Sequence, residues 1–242
     1  MSSRSLLARL FTLPLCSLLL IGGQALADTS RPEFLLYCGI TLVRPMTEIA
    51  QSFEKRENVR ITIAQGGSED LFQSAKKSGV GDWYLPGEPS YYSKHLSAGL
   101  FGEYRTVGYN QMGLMVQKGN PKKVKADPRE LLRKDLVAII GNAESGSVGK
   151  EAKDILDELG IYPKVVRQVA FMAPDSRSLI NAMKKGEADI TMNWRATGFF
   201  PENAPAVEVI DLDPRLAKPQ ALLLIQLKST KNPELEIGRA HV

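Results

Sequence analysis

The sequence has few of the residues that most often carry metal or nucleophilic chemistry. Its 242 residues include two cysteines and two histidines. Cys16 lies in an N-terminal apolar run and His241 lies at the C-terminal end, which leaves Cys38 and His95. One cysteine cannot form an internal disulfide, and one histidine offers no Ser/His or Cys/His pair. We therefore predict no cofactor, no direct metal-ion ligand and no enzymatic activity.

The sequence also lacks a charge surplus once its ends are set aside. Its 31 basic and 27 acidic residues give a formal net charge of +4. Arg4, Arg9, Arg239 and Glu236 lie in the terminal segments discussed next, which leaves 28 basic residues against 26 acidic ones. The remaining lysines are not interleaved with aromatic residues, so a nucleic-acid partner is not expected. The hydrophobic content of 43% is that of a globular protein, and the length suits two lobes.

The N-terminal segment has the features of a secretory signal peptide. Arg4 and Arg9 precede or flank an apolar run at residues 10–21, and a small-residue pattern ends at Ala27. The run has about 12 apolar residues, whereas a membrane-spanning helix needs roughly 20. We expect residues 1–27 to be removed and the mature protein to lie in the periplasm.

The C-terminal residues 236–242 read as the translation of a common sequencing adapter rather than as natural protein sequence. On that interpretation they take no part in the fold. The helix expected at the natural C-terminus would then be missing after Leu235.

Short apolar segments alternate with amphipathic helical segments along the rest of the chain. The predicted strands are residues 34–38, 59–64, 82–85, 107–117, 136–140, 165–172, 188–194, 206–210 and 221–227. This alternation predicts an α/β protein with mostly parallel sheets flanked by helices. The polar connection at 118–127 divides it into lobe 1 (residues 32–117 and 215–235) and lobe 2 (residues 118–214).

Four hydroxyl residues occupy equivalent positions between a strand and the following helix. They are Thr41, Ser68, Ser147 and Ser176. Ligands of open α/β sheets bind at the carboxyl ends of the strands, where helix N-termini offer unpaired N–H groups that attract anions. Each hydroxyl could equally be an ordinary helix cap, but neighbouring glycines such as Gly67 would allow a ligand to approach the backbone closely.

The type of anion is constrained by what accompanies these turns. No cluster of Arg, Lys or His does so, which disfavours a bulky phosphate ester or a nucleotide and favours a small, fully deprotonated tetrahedral dianion. Residues 146–150 look like part of a phosphate-binding loop, but Glu144 and Glu151 stand where that motif requires Gly and Ser or Thr.

Several of these segments resemble the periplasmic molybdate-binding proteins of ABC transporters, which are type II solute-binding proteins. The resemblance covers about residues 33–230 and is carried by residues 37–41, 66–68, 82–87 and 147–160. It implies a two-lobed periplasmic-binding-protein fold (type II) with a hinge and an oxyanion site between the lobes. The ligand-binding positions it implies are Thr41, Gly67, Ser68, Ser147, Val148 and Ser176. Where the family has a tyrosine this chain has Trp194, so either the indole or the amide of Asn193 is expected to donate instead.

These observations predict a protein that captures molybdate or tungstate and delivers it to an ABC permease, and we expect it to be a monomer. Two alternatives remain open. One is a binding protein for ferric iron, through Tyr91 and Tyr92, or for an organic anion. The other is a secreted enzyme on the same scaffold, such as a dehydratase, which would need an acid or base among Glu69, Glu144 and Asp175.

Overall fold

The first part of the chain alternates strands and helices as its hydrophobic pattern predicts. A computed structural model describes residues 31–231 and 233, so the predicted signal peptide and residues 236–242 lie outside the described residues. The first elements are β1 (Glu33–Gly39), α1 (Val43–Glu57), β2 (Arg60–Gly66), α2 (Ser68–Ser78), β3 (Trp83–Leu85), α3 (Ser90–His95) and β4 (Phe101–Asn110). Short 3-10 turns precede α1 at Ile40–Leu42 and follow α3 at Leu96–Ala98.

The second series of elements repeats this arrangement. It comprises β5 (Met112–Gln117), β6 (Ala138–Gly141), α4 (Ser147–Glu158), α5 (Tyr162–Gln168), β7 (Met172–Ala173), α6 (Ser176–Lys184), β8 (Ile190–Trp194), α7 (Arg195–Gly198) and β9 (Val207–Asp211). The last strand described is β10 (Gln220–Leu227). None of the helices within the described residues is long and apolar enough to cross a bilayer.

The strands form two five-stranded sheets, one in each of two α/β lobes. Their orders are β2-β1-β3-β10-β4 and β7-β6-β8-β5-β9. We expected mostly parallel sheets, but each sheet is mixed: it has two parallel and two antiparallel pairings. The antiparallel pairings arise because β10 enters the first sheet, and β5 the second, from the opposite lobe.

Both faces of the first sheet are covered, which explains why its central strands are almost continuously apolar. In β1, Phe34, Leu36 and Cys38 pack on one face of the sheet, and Tyr37 packs on the other. Alternation along the strand places neighbours on opposite faces. The second sheet is held in one large apolar core that includes residues from β5, β6, β8, α4 and α6.

The chain passes between the lobes earlier than predicted. Residues 107–117 are two strands rather than one, and β5 pairs with β8 and β9 of the second sheet. The first crossing is therefore at Gln111, and not after residue 117. The second comes after Ala217, which packs in the second core, and not at residue 214. The side-chain amide of Gln111 donates to the Ala217 carbonyl oxygen at 2.9 Å, so the two crossings are joined at the hinge.

A second correction concerns residues 165–172, which we predicted to be one strand. The first half of this segment, residues 165–168, is the end of α5, and only Met172 and Ala173 pair with β6. Val165 is fully buried, whereas Phe171 and Met172 are exposed. The β-branched run at 165–166 favoured a strand locally, but packing of one helix face against the second core overrides that preference.

The free cysteine provides a direct test of the first core. Cys38 is fully buried, and burial raises the pKa of its thiol to about 12. Because only the thiolate reacts, we expect Cys38 of a protein lacking residues 1–27 to react with Ellman's reagent at least ~100-fold more slowly when folded than in denaturant. Stopped-flow absorbance would measure both rates. Equal rates would show that β1 is not buried as described.

Candidate functional site

A small pocket lies where the carboxyl ends of the strands in the two sheets face each other. Its volume is about 10 Å³, far below the range of about 300–1,000 Å³ common for drug-sized ligands. Six of the eight predicted ligand-binding residues line it: Thr41, Gly67, Ser68, Ser147, Val148 and Ser176. The sequence did not single out Gly39, Ile40, Gly66, Gly87, Gly146 and Asp175 as ligand-binding residues, and they complete the lining.

Three helices begin at this pocket, each with a serine as its first residue. The alternative that these serines are ordinary N-caps is wrong, because the capping positions of α2, α4 and α6 are Gly67, Gly146 and Asp175. The Asp175 side chain caps α6 by accepting from the Ser178 N–H at 2.8 Å. The other two helix starts have no side-chain cap. Their first N–H groups, and the partial positive charge of each helix N-terminus, therefore remain available at the pocket.

Two of the serine hydroxyls accept hydrogen bonds from residues outside their own helices. The Ser68 Oγ accepts from the backbone N–H of Gly87 at 3.1 Å, and the Ser147 Oγ accepts from the Trp194 indole N–H at 3.4 Å. A hydroxyl that accepts one bond still has its own hydrogen to donate. Within residues 31–231 that hydrogen has no acceptor at either serine, so both hydroxyls can act as donors to a ligand.

The other two hydroxyls have no partner at all in the described part of the chain. The Ser176 Oγ is buried without a hydrogen bond, and the whole residue is 2% exposed. Thr41 is 7% exposed, and its hydroxyl forms no hydrogen bond with a described residue, but unlike the Ser176 Oγ it is not shut off from solvent. An unsatisfied buried hydroxyl costs about 1–3 kcal/mol. A ligand with several acceptor oxygens would remove this cost.

Asn193 and Trp194 do not line the pocket, which corrects the expectation that one of them donates directly. Both are fully buried. The Asn193 side chain donates to the Ser176 carbonyl oxygen at 3.0 Å and accepts from the backbone N–H of Trp194 at 2.8 Å. Trp194 is bonded to Ser147 instead of facing the pocket. Through these hydrogen bonds, Asn193 and Trp194 hold Ser176 and Ser147 in position without lining the pocket themselves.

Glycines allow the two lobes to meet around the pocket. A Cβ atom built on Gly67 would overlap the carbonyl oxygen of Ser145 in the other lobe. A Cβ atom on Gly87 would overlap the Ser147 Oγ, also across the lobes. Gly87 follows Pro86 at the end of β3, and this turn was a signal in the sequence that we did not connect with the site. The lobes are therefore in direct contact at positions where only glycine fits.

The three acids considered for catalysis either form structural hydrogen bonds or lie outside the pocket. Partial burial opposes ionisation of Glu69, but hydrogen bonds from Lys94, Gln73 and His95 lower its pKa to about 2. A carboxylate that stays ionised at neutral pH is a poor general acid. Asp175 is occupied as the cap of α6. Glu144 does not line the pocket.

The tyrosine pair packs in the core of the first lobe and does not line the pocket. Tyr91 is 2% exposed, and burial raises its pKa well above the ordinary value, which disfavours the phenolate needed to ligate iron. Tyr92 packs against Phe101 and Tyr104. Within the described residues, no group of three or more His, Cys, Asp or Glu side chains could hold a metal ion.

The sequence matches a known protein family and resembles a related protein. The model of the family described as bacterial extracellular solute-binding protein matches residues 34–236. A protein of Haemophilus influenzae described as a binding protein is 20% identical over 164 residues. That match covers 68% of this chain and 66% of the relative, which is slightly less than two thirds of the relative's length.

Solved structures resemble the fold as a whole. The periplasmic molybdate-binding protein of Azotobacter vinelandii has a TM-score of 0.63 at 13% identity, over 82% of this chain and 87% of that one. The periplasmic binding protein AfuA of Actinobacillus pleuropneumoniae, solved with fructose-6-phosphate, has a TM-score of 0.71 at 15% identity, over 85% and 76%. At such identities the likeness concerns the fold alone, and the ligand has to be argued from the site.

Proposed function

The chain belongs to the bacterial extracellular solute-binding proteins, and we propose that it binds a tetrahedral oxyanion between its lobes. Binding proteins of this family deliver small-molecule ligands to ABC permeases. The first ligands to consider are molybdate and tungstate, which the resemblance of the turns implies. We propose that the protein acts in the periplasm as a monomer, without a cofactor, and performs no reaction.

The observation that carries this proposal is the set of four hydroxyls whose hydrogens have no acceptor among the described residues. Two are held by bonds from Gly87 and Trp194, and the hydroxyls of Thr41 and Ser176 lack partners. All four can therefore donate at once. A fully deprotonated oxyanion has only acceptors, and it is the simplest ligand that matches a site made of donors.

The electrostatics of the pocket support the same ligand. The N-termini of α2, α4 and α6 begin at the lining, so their partial positive charges act on one point. Among the lining residues, Asp175 is the only ionisable side chain, and its carboxylate is bonded to the Ser178 N–H. Neutral donors and helix dipoles thus replace the hydration of the anion, without a fixed cation in the pocket.

Removing one hydroxyl provides the test. Each bond to a charged group contributes about 1.5–3 kcal/mol, so we expect Ser176→Ala to weaken oxyanion binding by ~10- to 100-fold. Ser178→Ala is the matched control, since Ser178 lies in the same helix but does not line the pocket. Calorimetry with molybdate, tungstate, sulfate, phosphate and ferric citrate would give the affinities. Binding of ferric citrate alone, or equal affinities of the two variants, would refute the proposal.

A further inference from the structure

A second and larger compartment adjoins the oxyanion pocket. It has a volume of about 200 Å³, compared with about 10 Å³ for the oxyanion pocket. Ile40, Thr41 and Ser176 line both spaces, so the two spaces adjoin each other at these residues. A bare oxyanion held by the four hydroxyls would leave the second compartment unused.

The second compartment lies between the lobes, as the oxyanion pocket does. The first lobe contributes Arg44 at the start of α1, and the second lobe contributes one side of α6 and the segment after α7. The Arg44 guanidinium lies 5.4 Å from the centre of the Phe200 ring and forms an ion pair with Glu202. These contacts join the lobes over the compartment, so a group inside it would be enclosed by the same closure that encloses the anion.

Two cations of this compartment form no ion pair with a carboxylate among the described residues. The Arg177 guanidinium donates to the side-chain oxygen of Gln65 at 3.0 Å, and the Lys184 ammonium donates to that of Asn203 at 3.4 Å. Glu202 is the only acid in the lining, and it is paired with Arg44. Arg44, Arg177 and Lys184 stand against Glu202 alone, whose carboxylate interacts with both Arg44 and Lys184, so the lining carries a net positive charge.

The remaining wall suits a short carbon skeleton. Ile180 is buried and Phe200 is half-buried, and both line the compartment. The buried polar groups there are already used: the Thr197 hydroxyl donates to the Trp194 carbonyl oxygen at 2.7 Å, and the Asn203 amide donates to that of Thr197 at 2.8 Å. A group bound in this compartment would therefore be recognised by the apolar wall and the two cations.

We propose that the ligand is a phosphate monoester of a small, polar organic acid or alcohol. The four hydroxyls would hold its phosphoryl group, and its substituent would occupy the second compartment near Arg177 and Lys184. This inference rests on the proposed oxyanion site and replaces the bare anion by an ester. A monoester has a second pKa of about 6, so near neutral pH it is mainly a dianion and meets the requirement for a ligand with acceptors only.

Calorimetry with four probes tests this inference: 3-phosphoglycerate, glycerol 3-phosphate, inorganic phosphate and molybdate. We expect at least one ester to bind at least tenfold more tightly than either inorganic anion. Tighter binding of 3-phosphoglycerate than of glycerol 3-phosphate would indicate that the cations recognise a carboxylate. Equal binding of the two esters would indicate that the compartment selects by shape, and both results support the ester.

Two variants separate the compartment from the oxyanion pocket. Asn181→Phe places bulk in the compartment from an exposed position, and we expect it to weaken ester binding at least tenfold while changing molybdate binding less than threefold. Lys184→Ala should weaken binding of 3-phosphoglycerate about fivefold. Lys185→Ala removes the same charge from the next residue, which does not line the compartment, and should have little effect.

The results distinguish a failure of the ester proposal from a failure of the oxyanion site. If molybdate binds more tightly than both esters and Asn181→Phe changes no affinity, the ester proposal is wrong and the oxyanion site stands. If no probe binds and Ser176→Ala has no effect with any of them, the oxyanion site itself is wrong.

Discussion

Replacing Gly67 with alanine should reduce oxyanion affinity at least ~100-fold without unfolding the protein. The new methyl group would meet the backbone carbonyl of Ser145, which lies in the opposite lobe and cannot rotate away. The lobes would be held apart, and a ligand would lose the hydroxyls of one lobe. Loss of two bonds to a charged ligand, at about 1.5–3 kcal/mol each, accounts for the expected reduction.

The fold itself should tolerate this change. Gly67 has φ −66° and ψ 146°, a conformation that alanine adopts readily, and the clash arises only when the lobes are closed. An open form relieves the clash by rotation at the hinge. The melting temperature without ligand should therefore stay within a few degrees of the parent protein, and the stabilisation by ligand should disappear.

A glycine away from the pocket provides the control. A methyl group on Gly108, in β4, would meet only the Leu222 side chain at 3.8 Å, which is ordinary packing distance. Gly108→Ala should therefore bind within about threefold of the parent. Calorimetry gives the affinities, and small-angle scattering with and without molybdate reports closure. Normal closure and affinity in Gly67→Ala would show that the lobes do not meet at this position when ligand is bound.

Replacing Glu151 with glutamine should stabilise the protein above neutral pH by about 2 to 3 kcal/mol. Glu151 is 5% exposed, and burial, together with the nearby charge of Glu88, raises its pKa to about 7. The side-chain amide of Gln220, in the first lobe, donates to it at 3.0 Å and partly opposes this shift. Each unit of pKa shift corresponds to about 1.4 kcal/mol.

The sign of the pH dependence follows from the raised pKa. Between about pH 4.5 and 7 the folded protein holds a proton on Glu151 that the unfolded chain releases, so the parent protein loses stability as pH rises through this range. Above about pH 8 the loss is complete. Glu151→Gln should match the parent near pH 4.5 and exceed it most at pH 8. Glu158→Gln, an exposed change in the same helix, should follow the parent throughout.

Glu151 should also make oxyanion binding depend on pH. It lies one turn, about 6 Å of helix rise, after Ser147. Glu88, Lys150 and Asp154 are the charged groups around it. Once ionised, Glu151 repels a bound anion by on the order of 1 kcal/mol, so affinity should fall about fivefold between pH 6 and 8.5. Molybdate is the suitable probe because it stays fully ionised over this range. Chemical denaturation and calorimetry at each pH provide the measurements, and a pH-independent affinity of the parent protein would contradict this prediction.

The order of strands and helices could be predicted from the sequence because it depends on the local hydrophobic pattern. The apolar runs that became β1, β2, β3, β6 and β8 are short, and they are separated by amphipathic segments. The same pattern placed Thr41, Ser68, Ser147 and Ser176 at the carboxyl ends of strands, and the structure brings all four to one pocket. In a two-lobed α/β fold, position along the chain largely determines which end of the sheet a turn occupies.

Tertiary structure decided what local pattern could not. Packing made residues 162–168 a helix, despite their β-branched side chains, and moved the lobe boundary to Gln111. It also turned Trp194 and Asn193 away from the pocket, to support Ser147 and Ser176. The burial of Glu151 and the contact of Gly67 with Ser145 exist only because two lobes meet. The sequence by itself determined which residues could form the site. Their hydrogen-bond partners, burial and charge depend on contacts between distant segments, and these only the folded lobes establish.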